Sequence, residues 1–174
     1  MSVSRRDFLK YAGIGGSTVA LGAMAYRVGY WWDQPASSRF EVLSDLEGRI
    51  VAGICDALFP GDSGSPPLPN AVDIGIVGDF DAYLAGLPEA PSKMLRALLH
   101  LIDDAAFFSG LGMARFHKRE RSEREEILRA WDNSTVTVRR SAFRGLKFAL
   151  SISYCNHPKV LDVMGMHYTC GGVG

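Results

Sequence analysis

Residues 44–60 read SDLEGRIVAGICDALFP, and they hold the clearest helical pattern in this chain of 174 residues. The segment opens with a capping box, in which the Ser44 side chain caps a helix and the Glu47 side chain reaches back to it. Phe59-Pro60 ends the pattern, because proline does not continue a helix. We therefore predict an amphipathic α-helix whose apolar residues recur at every fourth position: Leu46, Ile50, Ile54 and Leu58.

Further helices are predicted on the C-terminal side of this segment. Residues 60–69 contain four prolines and two glycines, which indicates a long loop. Asn70 is expected to cap a second helix that ends at Gly86-Leu87-Pro88. Pro91 suits the first turn of a third helix, and this helix is apolar over a wide arc, so we expect it to be the most buried element. Three polar residues of this helix are expected on its solvent side: His100, Asp103 and Asp104.

A fourth helix is predicted after a second capping box at Ser122–Glu125, and a fifth over about residues 137–154. The run His117–Arg121 carries charges of both signs and is interpreted as a solvated face rather than a binding patch. No stretch alternates with the period of two that a half-buried strand requires. We predict an all-α fold, a single compact domain of about five helices with a long Pro/Gly-rich loop, preceded by a signal segment.

The N-terminus has the layout of a twin-arginine export signal. Two consecutive arginines are followed by a polar residue, two apolar residues and a lysine, and then by the weakly apolar stretch 11–26. A cationic head of this kind stays at the cytoplasmic face while the apolar helix enters the bilayer. The chain is therefore expected to be exported, to the periplasm or to the outer face of the cytoplasmic membrane. The residues that carry the signal are Arg5, Arg6, Phe8, Leu9 and Lys10.

The end of the signal segment allows two interpretations. Ala23-Met24-Ala25 is a small-x-small site at which a signal peptidase would cut after Ala25. The aromatic stretch 28–32 that follows favours a membrane interface, which suits an uncleaved anchor. We divide the chain into a signal or anchor at 1–32, a linker at 33–39 and a helical domain at 40–174.

Composition and motifs exclude several classes of function. The chain has 19 Lys+Arg and 19 Asp+Glu, so no strong field is available to recruit nucleic acid, and no nucleic-acid partner is expected. No glycine-rich dinucleotide motif follows a strand, no C-x-x-C-H motif attaches haem, and no G-x-S-x-G elbow is present. We predict no catalytic residue and no cofactor-binding residue in this chain.

The chain has three cysteines, and an odd number leaves at least one free thiol or one intermolecular bond. Cys55 lies on the first helix and is expected to be buried. A metal-site hypothesis joins Cys155-x-His157 to His167-x-x-Cys170, because thiolates and imidazoles ligate zinc. The alternative makes His157 a turn residue before Pro158 and makes Cys155 a buried or bridging thiol.

The C-terminal motif Tyr154-x-x-His157-Pro158-x-Val160-x-x-x-x-Gly165, on a chain with a twin-arginine signal, resembles the gluconate 2-dehydrogenase subunit 3 family. The resemblance covers the chain from Ser4 to about Met166, and the sequence departs from the family pattern after Gly165. It implies a small (gamma) subunit of an FAD-dependent (GMC-type) sugar, polyol or alcohol dehydrogenase. FAD and the catalytic residues would then belong to a large partner subunit, and a cytochrome c subunit often completes such complexes.

On this resemblance we predict a non-catalytic small subunit that escorts its large FAD-dependent subunit through the twin-arginine translocase and stabilises it. Cys155 is the expected site of an intersubunit disulfide, with Cys170 as the second choice. Two alternatives stay open, a self-standing metal-binding protein and a structural protein tethered to the membrane.

Overall fold

The computed structural model describes residues 27, 29–31, 34–107 and 114–166. The chain divides into two units, residues 1–34 and 35–174, and the boundary lies in the predicted linker 33–39. The export-signal residues, Arg5, Arg6, Phe8, Leu9 and Lys10, lie outside the described residues, as does the proposed cleavage site at Ala25. In the first unit the Arg27 guanidinium lies 5.6 Å from the Tyr30 ring centroid.

The second unit is built from helices, which confirms the predicted all-α fold. Between residues 34 and 166 the described chain contains no strand. A 3₁₀ turn, Phe116–Lys118, precedes the fourth helix. The α-helices are α1 (Asp45–Leu58), α2 (Ile76–Ala85), α3 (Glu89–Phe107), α4 (Arg121–Asp132), α5 (Thr137–Cys155) and a short α6 (Pro158–Val163) that the sequence pattern did not resolve. Among the described residues, no helix has both the length and the hydropathy needed to cross a membrane.

Helix α1 lies at the centre of the domain, in contact with α2, α3, α4 and the 3₁₀ turn. Its predicted capping box is confirmed, because Ser44 Oγ accepts from the Glu47 N–H at 3.3 Å and the Ser44 N–H donates to Glu47 Oε2 at 2.7 Å. The expectation that the third helix is the most buried is wrong. Seven of the 14 residues of α1 are buried, against seven of the 19 residues of α3, because α1 is covered on more sides.

Two predicted helix starts are also corrected. Asn70 caps a turn, since its Oδ1 accepts from the Val72 N–H at 2.8 Å, and α2 begins only at Ile76, after Gly75. Gly75 has φ +87°, a left-handed conformation that separates the turn from the helix. Ser122 is not a cap, because α4 already begins at Arg121, after Glu120.

The segment before α1 is fixed by one buried carboxylate of α2. The Asp81 oxygens accept from the backbone N–H groups of Glu41, Val42 and Leu43 at 2.6, 3.0 and 2.8 Å. These groups have no helical partner of their own, so a charge-assisted acceptor satisfies them. Asp81 therefore determines where the chain enters α1.

Candidate functional site

The C-terminal end of α5 is built around Tyr154. Its ring stacks on the Phe59 ring with centroids 4.6 Å apart and planes 9° from parallel. Its hydroxyl donates to the Pro69 carbonyl oxygen at 2.8 Å. Burial raises the pKa of Tyr154, and the nearby Asp62 and Cys155 raise it further. Tyr154 thus holds both ends of the loop 60–69 against α5.

The loop 60–69 is organised by Asp62. Asp62 Oδ1 accepts from the Leu68 N–H at 2.9 Å and from the Gly64 N–H at 3.1 Å. These two backbone bonds lower the pKa of Asp62, because they stabilise its ionised form. The loop that the sequence predicts is therefore an ordered surface feature beside the end of α5.

The other residues of the C-terminal motif shape α6. His157 is its N-cap, and its Nδ1 accepts from the Lys159 N–H at 3.2 Å, with Pro158 at the first helical position. Gly165 has φ +67°, its N–H donates to Asp162 O at 3.1 Å, and Met166 N–H donates to Leu161 O at 2.9 Å. This pair of bonds is a Schellman motif, which requires a residue at positive φ.

The two described cysteines lie in opposite environments. Cys55 is fully buried on α1, as predicted, and burial raises the pKa of its thiol to about 12. Cys155 is exposed and is the last residue of α5. Because it is exposed, Cys155 is not the buried thiol that one alternative allowed, and it is accessible for a bond to another chain.

The metal-site hypothesis stays a prediction. His167 and Cys170 lie outside the described residues, and within the described part of the chain no group of three His, Cys, Asp or Glu could hold a metal ion. His157 has the turn position that the alternative assigned to it, as the N-cap of α6.

A buried polar cluster joins α1 to α3 and corrects the expected solvent face of α3. His100 and Asp103 are each 1% exposed. Glu47 Oε1 lies 2.9 Å from Arg96 Nε and 3.1 Å from His100 Nε2. Burial alone would raise the pKa of Glu47, but the hydrogen bonds from His100, Arg96 and the Ser44 backbone lower it to about 2. The prediction for His100 is wrong because its partner, Glu47, is 53 residues away in the sequence.

Asp103 and two residues of the basic run, His117 and Arg119, are also held by hydrogen bonds to other elements of the fold. The Asp103 carboxylate accepts from the backbone N–H of His117 at 3.0 Å and lies 2.7 Å from its Nδ1. Arg119 is 5% exposed and donates to the carbonyl oxygens of Ala106 and Ala114 at 2.8 and 3.1 Å. The run His117–Arg121 is therefore a solvated face only in part, because two of its members tie the 3₁₀ turn to α3.

An open cleft of about 480 Å³ lies between α1 and α4. Asp56 of α1, one of its lining residues, binds Arg121 at 2.5 Å and Arg124 at 2.7 Å, both from α4. The hydrogen bond from Arg121 is the main cause that lowers the pKa of Asp56. Because Asp56 engages both guanidinium groups, the main effect of this cluster is to hold α4 on α1.

The outward face of α5 exposes large apolar side chains that the sequence pattern does not single out. Val138 is 79% exposed and Phe148 is 68% exposed. Cys155 lies seven residues beyond Phe148 on the same helix. The exposed face could have been recognised from the helical repeat. These residues lie on a different face of the helix from the buried positions Phe143, Leu146, Ala149 and Leu150.

Comparison of the chain with protein-family models, with curated proteins and with solved structures found no match.

Proposed function

We propose that this chain is the non-catalytic small subunit of an exported FAD-dependent dehydrogenase, and that it escorts the catalytic flavoprotein subunit out of the cytoplasm and stabilises it. One observation carries the proposal. The motif from Tyr154 to Gly165 occurs on the same chain as a paired-arginine signal at Arg5-Arg6. FAD and the chemistry of alcohol or sugar oxidation belong to the partner, and a cytochrome c subunit would accept its electrons.

The described geometry supports a binding role for the C-terminal motif. Tyr154 joins the end of α5 to the loop 60–69, His157 caps the start of α6 and Gly165 ends it, while Cys155 between them stays exposed. A residue held on an ordered helix end is presented in one direction, which suits a bond to another subunit.

The export step is tested by replacing Arg5 and Arg6 together with lysine in the full chain, in cells that also produce the partner. We expect both this chain and the flavoprotein to remain in the cytoplasm, because the translocase recognises the paired guanidinium groups. A matched control replaces Arg39 and Arg49, two exposed arginines outside the signal segment, with lysine and should leave export unchanged. Normal appearance of the flavoprotein in the exported fraction of the Arg5/Arg6 variant would refute the escort role.

The metal-binding alternative and the membrane-tethered alternative can each be tested on the purified exported chain. About one zinc per purified chain, lost when Cys155 and Cys170 are both changed to serine, would support the metal-binding alternative. N-terminal sequencing of the exported chain distinguishes cleavage after Ala25 from an anchor that keeps residues 1–32.

A further inference from the structure

Helix α5 carries a second apolar stripe on the side that faces away from the core. Its members are separated alternately by three and four residues, which is the spacing of one face in a helix pair. Val138 and Phe148 are its largest exposed members, Ile152 is half-buried and Cys155 ends it. We call this stripe the α5 seam, and it consists of Val138, Ser141, Gly145, Phe148, Ile152 and Cys155.

The side chains at the centre of the α5 seam are small, so the surface of the helix is recessed there. A Cβ atom added at Gly145 would meet no described atom within 4 Å beyond the backbone of its own helix, so the fold itself has no packing reason for a glycine there. Glycine inside a helix costs about 0.5–1 kcal/mol relative to alanine. Gly145 and Ser141 lie one turn apart between the bulky Val138 and Phe148, which leaves a shallow saddle where another helix could approach closely.

One edge of the α5 seam is positively charged. Helix α5 contains no Asp or Glu, and three cations, Arg140, Arg144 and Lys147, follow this edge. Arg144 and Lys147 share the single carboxylate of Asp132 at 3.0 and 2.9 Å, and Arg140 donates to the neutral Ser134 carbonyl oxygen at 2.8 Å. The edge therefore keeps an excess of positive charge.

We propose that the α5 seam is the docking surface for the flavoprotein subunit, and that its occupant is a helix of that subunit with an apolar stripe and acidic residues along one flank. This inference rests on the proposed function. The apolar stripe would cover Val138 and Phe148, the close approach would occur at Gly145, and the acidic flank would neutralise the basic edge. Docking along the seam also brings the partner to Cys155.

The charges disfavour a second copy of this chain as the occupant. A copy would bring three more cations and only one more carboxylate to the interface, so the excess positive charge would grow.

The test uses the tagged full-length chain produced together with the flavoprotein, and measures FAD bound per purified chain. We expect about one FAD per chain for the wild type and at least about a tenfold loss for Phe148→Glu, which places a charge in the centre of the apolar stripe. Gly145→Leu should cause a similar loss by filling the saddle. This variant also separates docking from folding, because leucine is a better helix former than glycine. Exchange of Arg140 and Arg144 for glutamine should weaken the complex and reduce its sensitivity to salt.

Matched controls lie on other helices. Met94→Glu changes a residue of α3 with 67% exposure, nearly that of Phe148, and Gly78→Leu changes an exposed glycine of α2 with no neighbouring atom within 4 Å. Both should retain the wild-type amount of FAD. If Phe148→Glu and Gly145→Leu also retain it, the α5 seam is not the docking surface although the proposed function stands. If the wild-type chain itself binds no flavoprotein, the proposed function fails. A dimer of the isolated chain that Phe148→Glu dissociates would overturn the inference in favour of a second copy.

Discussion

Glu47 shows how much one side chain does in this fold. It completes the capping box of α1 through the Ser44 N–H, and it also binds Arg96 and His100 of α3. The carboxylate is fully buried, so its charge depends on these partners. A single residue therefore fixes both the start of α1 and the position of α3 against it.

Glu47→Gln should lower the free energy of unfolding by about 3 kcal/mol at pH 7, since it removes the buried anion that binds Arg96 and His100. The pH dependence has a definite sign. The pKa of Glu47 is about 2 in the folded chain against 4.5 for the free group, so its contribution is complete above about pH 4.5 and is lost as the pH falls towards 2. Urea titrations of the wild type and the variant from pH 7 to pH 2 measure this effect. Glu41→Gln, at an exposed position, is the control. A stability difference between the wild type and the Glu47→Gln variant that does not change with pH would contradict the assignment.

At the scale of the elements, the start of α2 depends on the backbone conformation of a glycine, Gly75, and not on a polar side-chain cap. Gly75 and Gly78 lie three residues apart, and a Cβ at either position would meet no neighbouring atom within 4 Å. They differ in backbone conformation, because only Gly75 has a positive φ. The start of α2 is therefore a property of the backbone and not of packing.

Alanine at these two positions should have opposite effects. Gly75→Ala should destabilise the domain by about 1–2 kcal/mol, because a Cβ is strained at left-handed φ. Gly78→Ala should stabilise it by about 0.5–1 kcal/mol, because it reduces the entropy of the unfolded chain within a helix. Thermal unfolding of the two variants beside the wild type measures both. Equal shifts in the same direction would contradict the assigned conformation of Gly75.

Asp81 connects α2 to the segment that precedes α1. Asp81→Ala should destabilise the domain by about 3 kcal/mol, because the N–H groups of residues 41–43 would lose a charged acceptor and one of them, that of Leu43, is buried. Asp73→Ala, at an exposed position between α1 and α2, is the control and should change stability by less than about 0.5 kcal/mol. Denaturant unfolding measures both variants. A loss in Asp81→Ala no greater than in the control would show that other contacts hold this segment.

For the whole molecule, the position of Cys155 makes an intersubunit bond testable. We expect the unreduced complex to contain a disulfide between Cys155 and the flavoprotein subunit, because an exposed thiol at a helix end is accessible in an oxidising compartment. Such a bond would contribute about 2–4 kcal/mol if it behaves like an intramolecular one. Gel mobility without reductant, for the wild type and for each Cys→Ser variant, measures it.

The cysteine variants separate the outcomes. Cys55→Ser should keep the slow-migrating species, since Cys55 is buried, while Cys155→Ser should lose it. Loss of the species only in Cys170→Ser would identify Cys170 as the bridging residue. Separate migration of the two subunits in every unreduced sample would refute an intersubunit disulfide.

The sequence by itself determined the helical class, the capping box of α1, the loop 60–69 and the extent of α5, because these depend on local spacing, caps and proline. Tertiary structure alone decided which polar side chains are buried. His100, Asp103 and Arg119 look like surface residues in sequence, yet they are buried because their partners come from other elements. The exposure of Phe148 was decided in the same way, since periodicity shows that a helix has an apolar stripe but not which stripe the rest of the chain covers.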